Sequence, residues 1–418
     1  MTTATAVRQP PLAVTGASGP FAALRSRPYR IYLSGQSVAN MGTWMQGIAQ
    51  DWLVLELTRS SVAVGVTMAL QYTPTLLFGM YGGLLGDHFS RRRILITTQT
   101  TMGVLTAMLA VITVSGWVTP TCVYVFALLA GLVIVVDQPT RQVFVGEVVP
   151  PDCLRAGIAL NAAVMQSTRL VGPAVASLLI ATVGSGWVFA ANAACYAGPT
   201  IGLLLLRPAD LIPVERQPRE PRALRTAVAY VAARPHVAWT VVLVGMVGTF
   251  GLNFPIVLSA MARSTFHGTA STYGLFNIAL AIGSASGALL VGGRTHSRVR
   301  LIVATCAGFG LLQAVAACAP DVPMFLVLIA MMGMVNLAFQ AMANAAVQLW
   351  VDPALRGRVM GLYMLVFTGG TPIAAPIVGA FTNTFGARAG MALCGVVPVF
   401  AATVAAVVFT RYSRTVRS

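Results

Sequence analysis

The chain has 418 residues, 57% hydrophobic and 9% charged, where a water-soluble domain carries about 25% charged residues, so a string of soluble domains is excluded. Its net charge of +16 raises nucleic acid as a partner, and the placement of its 27 basic residues, all of them arginine, has to decide between that and a membrane topology. The six cysteines, at 122, 153, 195, 306, 318 and 394, form no CxxC pair and sit mostly inside apolar runs, which reads as small packing residues.

Residues 1–30 are polar, with Pro10, Pro11, Pro20 and four arginines. The apolar run that follows is too long for a signal-peptide core, so the first span is expected to be retained. Stretches able to cross a hydrocarbon core of ~30 Å run over 31–57, 62–85, 94–116, 121–143, 156–183 and 187–206. After a polar segment come 239–261, 273–293, 301–319, 324–349, 359–385 and 389–409. The expectation is an all-α membrane protein of twelve transmembrane helices in two six-helix halves, 31–206 and 237–410, joined by a linker, 207–236, and flanked by segments 1–30 and 411–418.

An even number of spans puts both termini on one side, and 23 of the 27 arginines fall on that side. Only Arg59, Arg263 and Arg388 fall on the other, with Arg169 inside a span. Positive charge marks the cytoplasmic side, so both termini are expected in the cytoplasm and the basic balance needs no nucleic acid. Trp52, Trp117 and Trp187 near outer span ends, with Trp239 and Trp350 near inner ones, fit an interfacial belt; Trp44 is the exception. The linker holds five prolines and an apolar-basic stretch, 223–233, expected to form a surface helix.

The halves echo each other. The loop Val149-Pro150-Pro151-Asp152-Cys153-Leu154-Arg155 matches Val351-Asp352-Pro353-Ala354-Leu355-Arg356, as an internal duplication would. The join of the second and third spans, Gly83-Leu84-Leu85-Gly86-Asp87-His88-Phe89-Ser90-Arg91-Arg92-Arg93, gathers a carboxylate and three arginines. Its counterpart, Gly292-Gly293-Arg294-Thr295-His296-Ser297-Arg298-Val299-Arg300, keeps the arginines and lacks the acid.

Six plus six spans with G-x-x-x-D-x-x-x-R-R at Gly83, Asp87, Arg91 and Arg92 resemble the major facilitator superfamily. His88 and Ser90 depart from the arginine or lysine and the glycine usual there. The segments 50–58, Pro139-Thr140-Arg141 and Arg356-Gly357-Arg358-Val359-Met360-Gly361 resemble the branch of enterobactin-type siderophore exporters and macrolide efflux pumps. The resemblance implies a gate at the terminal side: Gly83 permits close helix approach, and Asp87 suits the positive end of a neighbouring helix, the eleventh by resemblance. Arg91 and Arg92 are then expected to reach Asp137 or Glu147, with Arg141 close by. A plain positive-inside turn is the alternative.

Ionisable groups inside spans are functional candidates, and here they are Asp51, Asp137 and Arg169. Asp137 precedes Arg141 by four residues on one helix face and is expected to form a gate salt bridge. Asp51 has no helical neighbour to neutralise it, which favours it as a proton carrier; the alternative pairs it permanently with Arg169 or with amides. Gly172-Pro173 is similar to the start of a kinked fifth-helix motif in drug and proton antiporters, though Ala176 and Ser177 replace later glycines. Gly369-Gly370-Thr371-Pro372 and Pro376 put a second break in the eleventh span, against a reading of both as packing kinks. Asn40, Gln46, Gln50, Gln166, Asn336, Gln340 and Asn344 are candidates to line a cavity or to bond helix to helix.

No Ser-His-Asp set, metal cluster, Walker loop or nucleotide fingerprint occurs, so neither cofactor nor metal is expected. The leading reading is a monomeric, multi-pass protein of a bacterial-type inner membrane. It exports an amphiphilic drug or siderophore-like small molecule against protons by alternating access, with membrane lipids as its surroundings. An importer or facilitator is the first alternative. A membrane-embedded enzyme or lipid scramblase is the second, and it would need a polar cluster at one bilayer face.

Overall fold

The computed structural model describes residues 22–212, 223–291, 299–352 and 355–415, and these are helical with no strand among them. The chain opens with α1 (Arg27–Thr58), whose start is set by Ser26: its Oγ accepts from the Tyr29 amide at 3.4 Å, and Pro28 occupies the first turn. It is followed by α2 (Ser61–His88), α3 (Arg91–Val114), α4 (Pro120–Val148) and α5 (Leu154–Val183). The next apolar segment is interrupted at Tyr196 into α6 (Ser185–Cys195) and α7 (Ala197–Leu205).

A short helix, α8 (Ala223–Ala232), forms where the apolar-basic stretch of the linker was expected to. It precedes α9 (Pro235–Met246) and α10 (Phe254–Ala260), which belong to one segment, with π-helical turns at Val247–Gly251 and Met261–Thr265. Then come α11 (Ala270–Val291), α12 (Val299–Ala316), α13 (Val322–Trp350), α14 (Arg356–Gly369), α15 (Thr371–Phe385) and α16 (Ala387–Thr415).

Ten helical segments, 18 to 31 residues long, are apolar enough to cross a membrane. Outside those ten, α1 and α11 are long helices packed in the same bundle. Gln36, Asn40, Gln46, Gln50, Asp51 and Glu56 make α1 the more polar of these two. The periphery is apolar: Val111, Leu178, Val327 and Phe400 are 61% to 68% exposed. Such a surface would be a liability in water and is at ease in lipid. The interior is held by close backbone approach, as where a Cβ on Gly283 would stand 1.8 Å from the Ala330 carbonyl and one on Gly333 would stand 2.3 Å from that of Leu280.

Call the face carrying the start of α1 the terminal face. On the opposite face, turn conformations recur along the chain. Arg59 after α1 and His267 before α11 are left-handed, with φ 52° and 49°. Gly184 after α5 and Gly386 after α15 have φ 88° and 90°, values that favour glycine.

Candidate functional site

Helices before residue 212 meet helices after residue 223 mainly toward the opposite face. Asp51 Oδ2 on α1 accepts a hydrogen bond from the Tyr273 hydroxyl on α11 at 2.9 Å, and Trp52 stacks on the Tyr273 ring at 6.4 Å. Arg263 donates to the Leu55 carbonyl at 3.2 Å. Alongside, a Cβ on Gly274 would stand 1.4 Å from Ser177 Oγ of α5, and one on Gly65 of α2 would stand 2.4 Å from the Ala375 carbonyl of α15. Glycines let these helices touch backbone to backbone. One turn nearer the terminal face from Asp51, Gly47 meets nothing within 4 Å, and neither do Gly357 and Gly361 at the start of α14. The two sets thus pack more closely toward the opposite face, where α2 meets α15, than toward the terminal face, where it meets α14.

Asp51 is therefore not paired with Arg169. Arg169 lies with its guanidinium 5.2 Å over the Trp44 ring of α1 and has no carboxylate partner among the described residues. Gly172 seats that tryptophan, since a Cβ there would stand 2.6 Å from Trp44 Cβ. The side chain of Gln166 lies outside the described residues.

Asp137 pairs with Arg141 within α4, as the spacing allows, and the buried carboxylate and half-buried arginine join a polar network. Asp137 Oδ1 accepts from Thr98 at 2.6 Å and Gln99 at 2.9 Å on α3, while Arg141 donates to Gln36 at 2.7 Å and Asn40 at 3.4 Å on α1. The network ties α1, α3 and α4 together and, among the described residues, makes no bond to the helices after residue 223. Asn40 is drawn into it. Gln46 likewise bonds helix to helix, accepting from Asn192 and from Thr106 at 3.2 Å, and Gln50 is 4% exposed. On α13 the stripe bonds along its own face, Gln340 to Asn336 at 3.1 Å and Gln348 to Asn344 at 2.5 Å.

The expected turn at 83–93 is shorter than the sequence suggested. α2 continues to His88, so Gly83 and Asp87 stand in its last turns, and their side chains lie outside the described residues. Arg91 forms an ion pair with Glu147 at the end of α4. Arg92 reaches neither expected acid and instead donates to the Leu203 and Leu204 carbonyls at 2.7 and 3.1 Å, satisfying the open C-terminal end of α7.

The helix breaks also differ in part from expectation. The one at 369–372 is present between α14 and α15, with Pro372 in the first turn of α15 and Pro376 inside it. α5, however, runs unbroken through Gly172 and Pro173. The structure pairs the 369–372 break with one between α9 and α10. A Cβ on Gly370 would stand 1.9 Å from Thr249 Oγ1, and one on Gly248 would stand 2.0 Å from the Phe367 carbonyl. The carbonyls near the π-turn find donors: Asn253 bonds those of Thr249 and Phe250 at 2.8 and 3.0 Å, and Gln313 bonds that of Gly251 at 3.2 Å.

Residues 18–415 match a family model described as transmembrane secretion effector. The chain belongs to that family, within the major facilitator superfamily. It is a multi-pass integral membrane transporter and not an enzyme. It is 27% identical over 398 residues to the multidrug efflux pump Tap of Mycolicibacterium fortuitum, covering 89% of this chain and 95% of that one. It is 23% identical over 362 residues to the enterobactin exporter EntS of Citrobacter koseri, covering 85% and 86%. A match to the Staphyloferrin A transporter of Staphylococcus aureus, 23% identical, covers 61% of this chain but only 64% of that protein. Among solved structures, a bacterial homologue of the human lysosomal transporter Spinster, inward-facing and unoccupied, superposes with a TM-score of 0.69 at 14% identity, covering 93% and 98%.

Tyr273, Trp44, Asn253 and Gln313 are the members of this arrangement that sequence reasoning missed. The only advance signals were Trp44 standing away from either interfacial belt and the glycines at 245, 248 and 251 ahead of Asn253 and Pro255.

Proposed function

We propose that this transporter exports amphiphilic small molecules in exchange for protons by alternating access. Two six-helix halves, 31–206 and 237–410, rock about their interface, and both termini are cytoplasmic. Adding α1 and α11 to the ten apolar segments gives twelve spans, and the excess of arginine on the terminal face orients them. The more closely packed end is then periplasmic and the terminal face cytoplasmic. The names of Tap and EntS support drug-like or siderophore-like cargo, carried by a monomer surrounded by lipid.

The observation that carries the reading is the hydrogen bond between Asp51 and Tyr273. Of the buried carboxylates among the described residues, Asp51 is the one without a cationic partner. Its hydrogen bond crosses between the halves at the more closely packed end. A bond to a charged group is stronger than one to a neutral group, so a proton gained or lost at Asp51 changes the balance between closed and open. Asp137, held by Arg141, Thr98 and Gln99, is proposed as a fixed charge bracing the first half. Asp87, at the cytoplasmic end of α2, is proposed to meet the start of α14 when that side closes, with Arg91 and Arg92 holding α3 in place.

The test is gradient-driven accumulation of ethidium or enterobactin in everted proteoliposomes. Asp51→Asn should abolish accumulation while leaving binding of the probe intact. Normal accumulation by that variant overturns the role of Asp51. Accumulation that is indifferent to the pH gradient in the unaltered protein overturns proton coupling.

A further inference from the structure

An unpaired cation at mid-span is costly, about 2.5 to 3.5 kcal/mol on insertion scales, unless something compensates it. Arg169, sixteenth of the thirty residues of α5, is such a cation. Arg169 is half-buried, its guanidinium lies over the Trp44 ring, and it donates no hydrogen bond to and forms no ion pair with the described residues.

Helical geometry, about 100° per residue, fixes where this side chain points. Gly172, to one side of it, packs on Trp44 of α1; Pro173 and Ser177, to the other side, pack on Gly274 of α11. Leu178, half a revolution away, is on the apolar periphery at 66% exposure. Arg169 thus faces the gap between α1 and α11, one turn nearer the terminal face than Pro173, on the stretch where Gly172 meets Met41 and Trp44 of α1. Along the same strip of α5, toward the terminal face, Met165 and Ile158 are 47% and 55% exposed.

We infer that Arg169 and Trp44 form the head of a binding site for an amphiphile carrying a carboxylate or another oxyanion with two oxygens to share, whose apolar body lies along Met165 and Ile158. The inference rests on the transport reading above and adds anionic amphiphiles to its cargo. The guanidinium fork presents paired N–H donors that match two oxygens of one group. The guanidinium lies over the Trp44 ring with its donors unclaimed by the described residues. Methionine adapts to varied apolar shapes, which suits a site selective for the head group and tolerant of the body.

The experiment measures binding of 1-naphthoate, and of 1-naphthylmethylammonium as its cationic counterpart, to the full-length protein in phosphatidylcholine nanodiscs. Naphthoate should bind with Arg169 intact, weaken at least tenfold in Arg169→Gln and partly recover in Arg169→Lys; Trp44→Phe should weaken it several-fold, and the ammonium probe should gain from Arg169→Gln. Equal binding of the two probes, or naphthoate binding unchanged in Arg169→Gln, overturns the inference. Stabilisation by chloride or inorganic phosphate without naphthoate binding makes this a small-ion site and also overturns it. Stabilisation only by phosphatidylglycerol assigns the site to lipid, with the same result. Gradient-driven ethidium flux is followed in parallel. Flux without naphthoate binding leaves the transport reading standing and sinks this one, and naphthoate binding without any flux does the reverse.

Discussion

The helices before residue 212 and those after residue 223 solve the problem of a polar interior differently. The first set uses charge: Asp51, Asp137, Arg141 and Arg169 sit in its spans, and Arg91 with Glu147 fastens one end. The second set has no Asp, Glu, Arg or His within 239–261, 273–293, 301–319, 324–349, 359–385 or 389–409 and uses bent backbone instead, with interruptions at 247–253 and at 370 that pack on each other. Charges give a protein groups whose state can be altered by protons or ligands. Breaks give it places that bend. The division suggests that the first set senses and the second set yields.

The sharpest way to break that comparison is through the buried Asp137 and its partner Arg141. Arg141→Ala leaves Asp137 uncompensated and should cost about 3 to 5 kcal/mol, seen as a large drop in the unfolding midpoint in detergent. Replacing both partners, Asp137→Leu with Arg141→Met, should recover most of it. If the double variant is as unstable as the single, the charges are not what holds α1, α3 and α4 together. In the second set, Gly370→Leu drives a side chain into Thr249. It should cost about 1 to 3 kcal/mol through overpacking and reduce transport more than binding, and unaltered transport would deny the breaks a moving role.

Smaller effects refine the contrast. Asn253→Ala should lower stability by about 1 kcal/mol, because the Thr249 and Phe250 carbonyls lose their donor. Tyr273→Phe removes one bond across the interface, worth about 0.6 kcal/mol, and should raise the periplasm-open population about threefold by spin-label distances. No change in those distances would mean that Trp52 stacking and the glycine contacts close that end unaided.

The ten apolar segments were legible because an apolar run of sufficient length has few alternatives, whereas the sequence left Asp137 and Glu147 both open as partners for Arg91 and Arg92, and packing chose Glu147 for Arg91 alone. The break before Thr371 was legible in its two glycines and proline. Its partner was not. Residues 239–261 read as evenly apolar, and the π-turn depends on Gln313 and Gly370, which lie 62 and more residues away. The same distance hid the partner of Asp51, 222 residues along the chain, and of Gln46, bonded to Asn192. Composition could suggest that these groups need partners, but only packing chooses them.

The contact between the two breaks has a mechanical consequence. α14 extends fourteen residues from that point to Arg356, about 21 Å at 1.5 Å per residue, so a tilt of about 10° there sweeps its far end through roughly 4 Å. Because Gly370 rests on Thr249 and Gly248 on Phe367, α9 must swing with it. The two helices therefore share one pivot, and it lies in the bundle interior.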